Sequence, residues 1–285
     1  MNPLANLNGA ILPLAEARIP VLDRGFLFGD AVYEVLRVYQ GKPWRMAEHF
    51  ARLGRSLEAI RIHGIDLERL KARMFATIAA GPFAEAIVYV QITRGAAPRK
   101  HAFPAGATPL ELLFVQEFAD PYVELRQTGA AVITQPDLRW DRCDIKSTNL
   151  LANVLAMQSA VEAGGVEALL VLADGTLTEG THTSFFGVMD GALVTRPQSP
   201  AILPGITRGL ILGLAARARI PLREQSLRKS DLPRVSELFL TGTTSEVLPI
   251  TKVDGMPVGD GRPGPVTGRL QAAYAEAVRE FIGVT

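Results

Sequence analysis

The chain is short of the residues that close disulfides and bind metals. Of 285 residues one is cysteine, Cys143, so no intramolecular disulfide forms, and a reducing compartment is expected. The four histidines, His49, His63, His101 and His182, are scattered without ligand spacing, which argues against a zinc-type site. An excess of either charge is missing too: 30 Lys+Arg against 29 Asp+Glu leave +1, so no global field draws nucleic acid or an anionic membrane. No apolar run approaches the roughly 18 residues of a membrane span. The opening MNPLANLNGAILPLA has no basic leader and is broken by Asn and Pro, and a soluble, cytoplasmic protein is expected. Internal repeats and low-complexity tracts are also missing. What remains is an ordinary globular composition, 48% hydrophobic and 21% charged, long enough for two modest domains or one large one.

After a short opening strand or hairpin, AVYEVLRVYQGKPWRM predicts two strands joined at Gln40-Gly41-Lys42. Phe50, Leu53, Leu57 and Ile60 recur at helical spacing, and Asp66 offers an N-cap for a second helix that Gly81-Pro82 stops. AIVYVQITR and PLELLFVQEF predict strands around a loop containing Arg94, Arg99, Lys100 and His101. The pattern weakens over ADPYVELRQTG. The expected organisation is therefore a smaller N-terminal α/β domain over 1–118, an interdomain loop over 119–128 and a larger C-terminal domain over 129–285. There, AAVITQ predicts a strand and TNLLANVLAMQSAVEA a helix ended by Gly164-Gly165. Asp174-Gly175, Asp190-Gly191 and Asp254-Gly255 mark hairpins, a helix starts near Thr207, and TGRLQAAYAEAVREFI closes the chain. Irregular alternation with tight hairpins predicts an α+β fold with mixed or antiparallel sheets.

Several residue groups suit chemistry, each with a plainer alternative. Lys146, in RCDIKS between a strand and a helix, is either a solvated charge or an amine presented to a carbonyl. LPGITRG puts Ile206 and Thr207 at a helix start, where free N–H groups attract phosphate or Thr simply caps the helix. In FLTGTTSE, Gly242, Thr243 and Thr244 either wrap an anion or form a capping box with Glu246. Glu179 in TLTEGTHTS either holds a proton on a heterocyclic nitrogen or faces water in a turn. Arg99 either traps a carboxylate or belongs to a solvated basic loop. Cys143, with no His nearby in sequence, is expected to pack as a small buried hydrophobe, and Trp44 and Trp140 to pack as well. A reactive amine, two anion cradles, a spare carboxylate and a carboxylate trap together suit pyridoxal phosphate chemistry on amino acids.

DRGFLFGDAVYEV, HFARL, QITRGAAPRKH, RCDIKSTNLLANVLAMQ, TEGTHTSFFG, LPGITRG and FLTGTTSE occur in the order and spacing of the class IV, or fold type IV, aminotransferases, over nearly the whole chain. Within that family the chain most resembles the enzymes acting on D-amino acids. The resemblance implies a two-domain α+β fold with pyridoxal 5′-phosphate (PLP) in the interdomain cleft of a homodimer. It implies that Lys146 forms a Schiff base with the cofactor and that Glu179 pairs with its ring nitrogen. Arg52, Ile206, Thr207 and Thr243, with Gly242 and Thr181 beside them, would hold the phosphate, and Leu203 would pack on the ring. Tyr33, Arg99 and His101, the last two reaching from the partner subunit, would bind the substrate carboxylate. The implied activity is ping-pong transfer of an amino group from a D-amino acid such as D-alanine to 2-oxoglutarate or pyruvate. Branched-chain L-amino-acid transfer, aminodeoxychorismate cleavage, or non-enzymatic binding of a phosphate ligand are the alternatives. The chain departs from the family at Thr181, His182, Thr183 and Ser184, where three serines and an asparagine are usual, and at Gly242, where serine is common.

Overall fold

Tight turns set the strand registers. Asn8-Gly9, Gln40-Gly41, Asp190-Gly191 and Asp254-Gly255 each place two successive residues at positive φ, the backbone of the two-residue turn whose twist matches the strands it joins. The computed structural model describes residues 2–284. The chain forms two compact units: one runs through Ala119 and takes back Ile145–Asn149, the other holds Asp120–Asp144 and the chain from Leu150 onward.

The first unit comprises β1 (Leu4–Leu7), β2 (Ala10–Pro13), α1 (Arg24–Phe28), β3 (Ala31–Tyr39), β4 (Lys42–Pro43), α2 (Met46–Ala59), α3 (Leu67–Ala79), β5 (Ala86–Thr93) and β6 (Leu110–Glu117). Its sheet is antiparallel throughout, in the order β2-β1-β6-β5-β3-β4. Alternation on β5 buries Ala86, Val88, Val90 and Ile92, which pack with Phe50, Leu53 and Leu57 of α2 and Leu70, Met74 and Ile78 of α3. Burial of each of the larger of these side chains contributes ~2 kcal/mol. Asp66 caps α3 as expected, accepting from the N–H groups of Glu68 and Arg69. On the opposite face Tyr33, Tyr89 and Phe114 stack across three strands, with ring centroids 5.6 and 4.8 Å apart.

The second unit begins with α4 (Leu125–Thr128), inside the weakly patterned stretch, where Asp120 binds Arg126 and accepts from the Tyr122 N–H. It continues with β7 (Ala130–Pro136), α5 (Leu151–Glu162), β8 (Ala168–Val171), β9 (Leu177–Gly180), β10 (Ser184–Met189), β11 (Ala192–Thr195), α6 (Ile206–Arg217) and β12 (Leu222–Glu224). β13 (Glu237–Gly242), β14 (Glu246–Val253), β15 (Met256–Pro257) and α7 (Pro265–Ile282) complete it. The sheet is mixed, in the order β12-β11-β10-β13-β14-β7-β8-β9 with β15 on β14, and β11–β12, β14–β7 and β7–β8 run parallel. Phe186 and Phe239 stack beneath α6 and α7, while Phe185, Leu240, Leu248 and Ile250 fill the other core. The mixed α+β class agrees with the sequence expectation. Two plainer alternatives fall. Glu246 opens a strand opposite Gly242, so Thr243 starts no helix, and Trp140 is 46% exposed where packing was expected, although Trp44 is buried.

Candidate active site

In the first unit the backbone around Lys146 is laced to the start of β3. Tyr33 N–H donates to the Lys146 carbonyl at 2.9 Å, Thr148 N–H to Ala31 O at 3.1 Å, and Val32 bridges Ser147. The Lys146 N–H donates to Ser56 Oγ on α2 at 3.2 Å, and Ile145 is buried in the core beneath. The side chain is half-buried with Nζ 4.2 Å from the Tyr33 ring centroid, and no carboxylate pairs with it among the described residues. Of the charges that precede Lys146 in RCDIKS, Arg142 and Asp144 pair with each other.

The same unit holds a buried hydrogen-bonded triad. Glu34 on β3 accepts from Arg52 Nε and Nη2 at 2.7 and 2.8 Å and from His49 Nδ1 at 2.7 Å. Burial alone would raise the Glu34 carboxyl, but the Arg52 guanidinium and the His49 contact outweigh it and hold it at about 2. Burial keeps His49 below the usual imidazole range, so it donates as a neutral ring. Arg52 is therefore fixed by Glu34, itself held by His49, and sequence reasoning missed both. The available signal was spacing: His49, Arg52, Leu53 and Ser56 lie on the one buried face of α2.

Arg99 and His101 sit exposed on the β5–β6 loop, both against Phe28: the Arg99 Cζ lies 5.2 Å and the His101 ring 5.5 Å from its centroid. Arg94 is not part of that exposed basic surface. It is buried, donating to Asp30 at 2.8 and 2.9 Å and to the carbonyls of Ile60 and Arg61.

In the second unit Glu179 ends up buried on β9 rather than facing water in a turn. Its carboxylate accepts from Arg139 Nη1 at 2.5 Å and from the Leu203 N–H at 3.1 Å to each oxygen. Arg139 is held in turn by Asp137, at 2.9 and 2.8 Å. Burial pushes the Glu179 carboxyl up to about 7 against the pull of Arg139, so it exchanges a proton near neutrality. Arg139 and Asp137 were missed because they lie some forty residues from Glu179 in DLRWDR, which reads as a charged loop. Cys143 is half-buried, not fully buried. Desolvation pushes its thiol up to about 11, and it donates to Trp140 O, so it is no nucleophile.

Three turns of this unit meet around Ser184. Ser184 pairs with Thr241 across β10 and β13, and a Cβ on Gly205 would lie 2.7 Å from Ser184 Oγ, so only glycine fits before α6. A Cβ on Gly242 would lie 3.4 Å from Thr183 Cγ2 and 2.7 Å from Ser245 Oγ. No side chain caps α6, which sets aside a Thr cap and leaves the first N–H groups, those of Ile206 and Thr207, without intrahelical acceptors. Ser245 Oγ, also missed, is buried without a partner among the described residues. Unpaired N–H groups and hydroxyls fit a phosphate ester, and a buried carboxyl titrating near 7 fits a heterocyclic nitrogen. Thr181 is differently employed. Its N–H and hydroxyl both donate to buried Glu167, which also accepts from Thr183 Oγ1 and from His182 at 2.9 Å. Burial would raise Glu167, but His182, the Thr181 hydroxyl and the Ala168 amide hold it at about 2. No group of side chains among the described residues could hold a metal ion, and no described helix is long and apolar enough to cross a membrane.

The sequence profile described as "Amino-transferase class IV" matches residues 31–253. The D-alanine aminotransferase of Bacillus licheniformis is 39% identical over 275 residues, covering 95% of this chain and 95% of its own. In fold, the branched-chain amino acid aminotransferase of Escherichia coli matches with a TM-score of 0.90 at 28% identity, over 97% of this chain and 94% of that one. A second branched-chain amino acid aminotransferase, that of T.th., solved with pyridoxamine 5′-phosphate, matches with 0.89 at 28%, over 98% and 94%. Likeness of this extent, in sequence and in fold, means that the chain belongs to the class IV aminotransferases and has their α+β fold.

Proposed function

We propose that this chain is a PLP-dependent transaminase that moves the amino group of a D-amino acid such as D-alanine to pyruvate or 2-oxoglutarate, with Lys146 as the covalent anchor. One observation carries the D-amino-acid assignment: the 39% identity to a D-alanine aminotransferase over 95% of both chains. The branched-chain L-amino-acid alternative draws on the 0.90 fold match, at 28% identity.

Bound PLP supplies an electron-withdrawing ring that stabilises negative charge at the substrate Cα. Freed by the incoming substrate amine, Lys146 Nζ would take the Cα proton and hold it for return, acting as general base and then acid. Tyr33 beneath Nζ would shield it and, with Arg99 and His101 of the partner subunit, hold the substrate carboxylate. Glu179 would keep a proton on the ring nitrogen, and Arg139 and the Leu203 N–H fix the direction of its oxygens. The Leu203 side chain would cover the ring. The Ile206 and Thr207 N–H groups, the Thr207, Thr243 and Ser245 hydroxyls and Arg52 would hold the phosphate, Gly242 would admit it close to the backbone, and Thr181 would act through Glu167. Because both substrates carry the carboxylate, one set of side chains serves both half-reactions and the first product leaves before the second substrate enters.

A homodimer is part of the proposal, with Arg99 and His101 serving the partner's site. Leu151, Val154 and Leu155 on α5, at 72, 57 and 60% exposure, suit burial against a second copy. A monomeric mass in sedimentation would remove this part. For the activity, purified protein is given D-alanine or L-leucine with 2-oxoglutarate. Faster turnover of D-alanine, lost in Lys146→Ala, is the expected result. Preference for L-leucine would move the assignment to the branched-chain enzymes, and pyruvate released from aminodeoxychorismate without an acceptor would move it to the lyases.

A further inference from the structure

We propose that Arg24 is a positioning residue that holds the loop bearing Arg99 and His101 in one conformation, so that a substrate carboxylate meets donors already in place. The inference rests on Arg99 and His101 being the carboxylate-binding pair.

Arg24, in the first turn of α1, has a side chain only 4% exposed. Its Nε donates to Asp30 Oδ2 at 2.8 Å. Its remaining nitrogens point at the loop backbone: Nη1 donates to Lys100 O at 2.6 Å and to Ala102 O at 3.4 Å, and Nη2 to His101 O at 3.2 Å. Carbonyls of successive residues alternate in direction along an extended chain. Three in a row aimed at one cation mark a bend that the cation organises, and that bend lies immediately beside Arg99 and includes His101. The loop's root is tied to the same segment, Arg24 N–H donating to Gly95 O at 3.0 Å and Ala97 N–H to Leu22 O at 3.2 Å. Gly95 has φ +93°, and a Cβ there would lie 2.0 Å from Thr108 O, so the root admits only glycine. The tip is held by its side chains. Phe28, one turn along α1, has the Arg24 Cζ at 4.9 Å from its ring centroid and Arg99 and His101 against the same ring.

Arg94 shows what a purely structural arginine does here. It shares Asp30, stacks on Phe103 at 3.6 Å, and spends its other donors on Ile60 and Arg61 at the end of α2. Lysine cannot replace Arg24 in its role, because one ammonium cannot spread planar donors across a carboxylate and three carbonyls. A loop ordered during folding needs no ordering when the carboxylate arrives, so its loosening weakens binding of both substrates more than the chemical step.

The test compares Arg24→Lys, Arg94→Lys and Arg99→Ala as holoenzymes, reading KM for D-alanine and 2-oxoglutarate, kcat, cofactor absorbance and Tm. Arg24→Lys is expected to raise both KM values about tenfold, with kcat changed less than about threefold and the cofactor spectrum intact. Arg94→Lys should lower Tm with KM within about twofold of wild type. Wild-type KM in Arg24→Lys beside a raised KM in Arg99→Ala overturns the proposal, as does an equal KM rise in Arg94→Lys. Wild-type KM in Arg99→Ala instead refutes the carboxylate assignment beneath it. Should Arg24→Lys not fold, Phe28→Leu keeps the buried cation and removes the ring from Arg99 and His101. It should raise both KM values, and unchanged values overturn the proposal.

Discussion

Glu179 balances burial against its partners. Full desolvation favours the acid, while Arg139 and the Leu203 N–H favour the carboxylate, and the outcome near 7 leaves the proton mobile at neutral pH. A cation placed against the carboxyl draws it to the ionised form. A glutamine keeps the shape and accepts from Leu203, yet it neither ionises nor offsets Arg139, which Asp137 still holds. Glu179→Gln should therefore keep cofactor bound, as read by absorbance, and lower kcat roughly a hundredfold or more; unchanged turnover removes the role assigned to it. The sequence identifies Glu179 through the TEG resemblance. It does not disclose burial or Arg139, because an ion pair across some forty residues leaves no local pattern. Glu34 is hidden for the same reason, reading as the polar member of a strand while actually accepting three hydrogen bonds inside.

Helices and hairpins were legible wherever their signals are local. Asp66 precedes a 3.6-residue apolar repeat, and α3 starts there. Asp190-Gly191 and Asp254-Gly255 turn as two-residue hairpins must. The capping aspartate makes a measurable claim: Asp66→Ala strips the acceptor from the Glu68 and Arg69 N–H groups and should cost about 1 kcal/mol, seen as a lowered urea midpoint with kcat unchanged. No loss of stability would mean the first turn is held by tertiary packing alone. Local signals failed where two patterns coincide. Thr243 and Glu246 have capping-box spacing, but Glu246 faces Gly242 across a hairpin between two buried strands, and strand pairing wins because both flanks are apolar and β-branched or aromatic. Five-residue α1 carries too little periodicity to be read, although it places Arg24 and Phe28.

Across the whole molecule, buried carboxylates link stability to pH in two opposite ways. Glu34 in one unit and Glu167 in the other are held at about 2, below an ordinary value of 4.5, so the unfolded chain takes up protons first as pH falls. Their contribution is complete above about 4.5 and disappears toward 2, roughly 3 kcal/mol for each. Glu179 has the reverse sign. Raised from 4.5 to about 7, it favours the folded state fully below 4.5, and that advantage is lost as pH rises through 7 in protein stripped of cofactor. Apoprotein stability, measured by urea unfolding from pH 3 to 8, should then rise steeply from acid and fall again toward neutrality. Glu179→Gln apoprotein should keep the acid rise and lose the neutral decline. Glu34→Gln should lower the acid limb by about half, since its amide has no carboxylate to protonate and Glu167 keeps the rest, while the decline toward pH 7 stays. A neutral decline that persists in Glu179→Gln would assign it to another group and remove the carboxyl from control of the apoprotein's stability near pH 7.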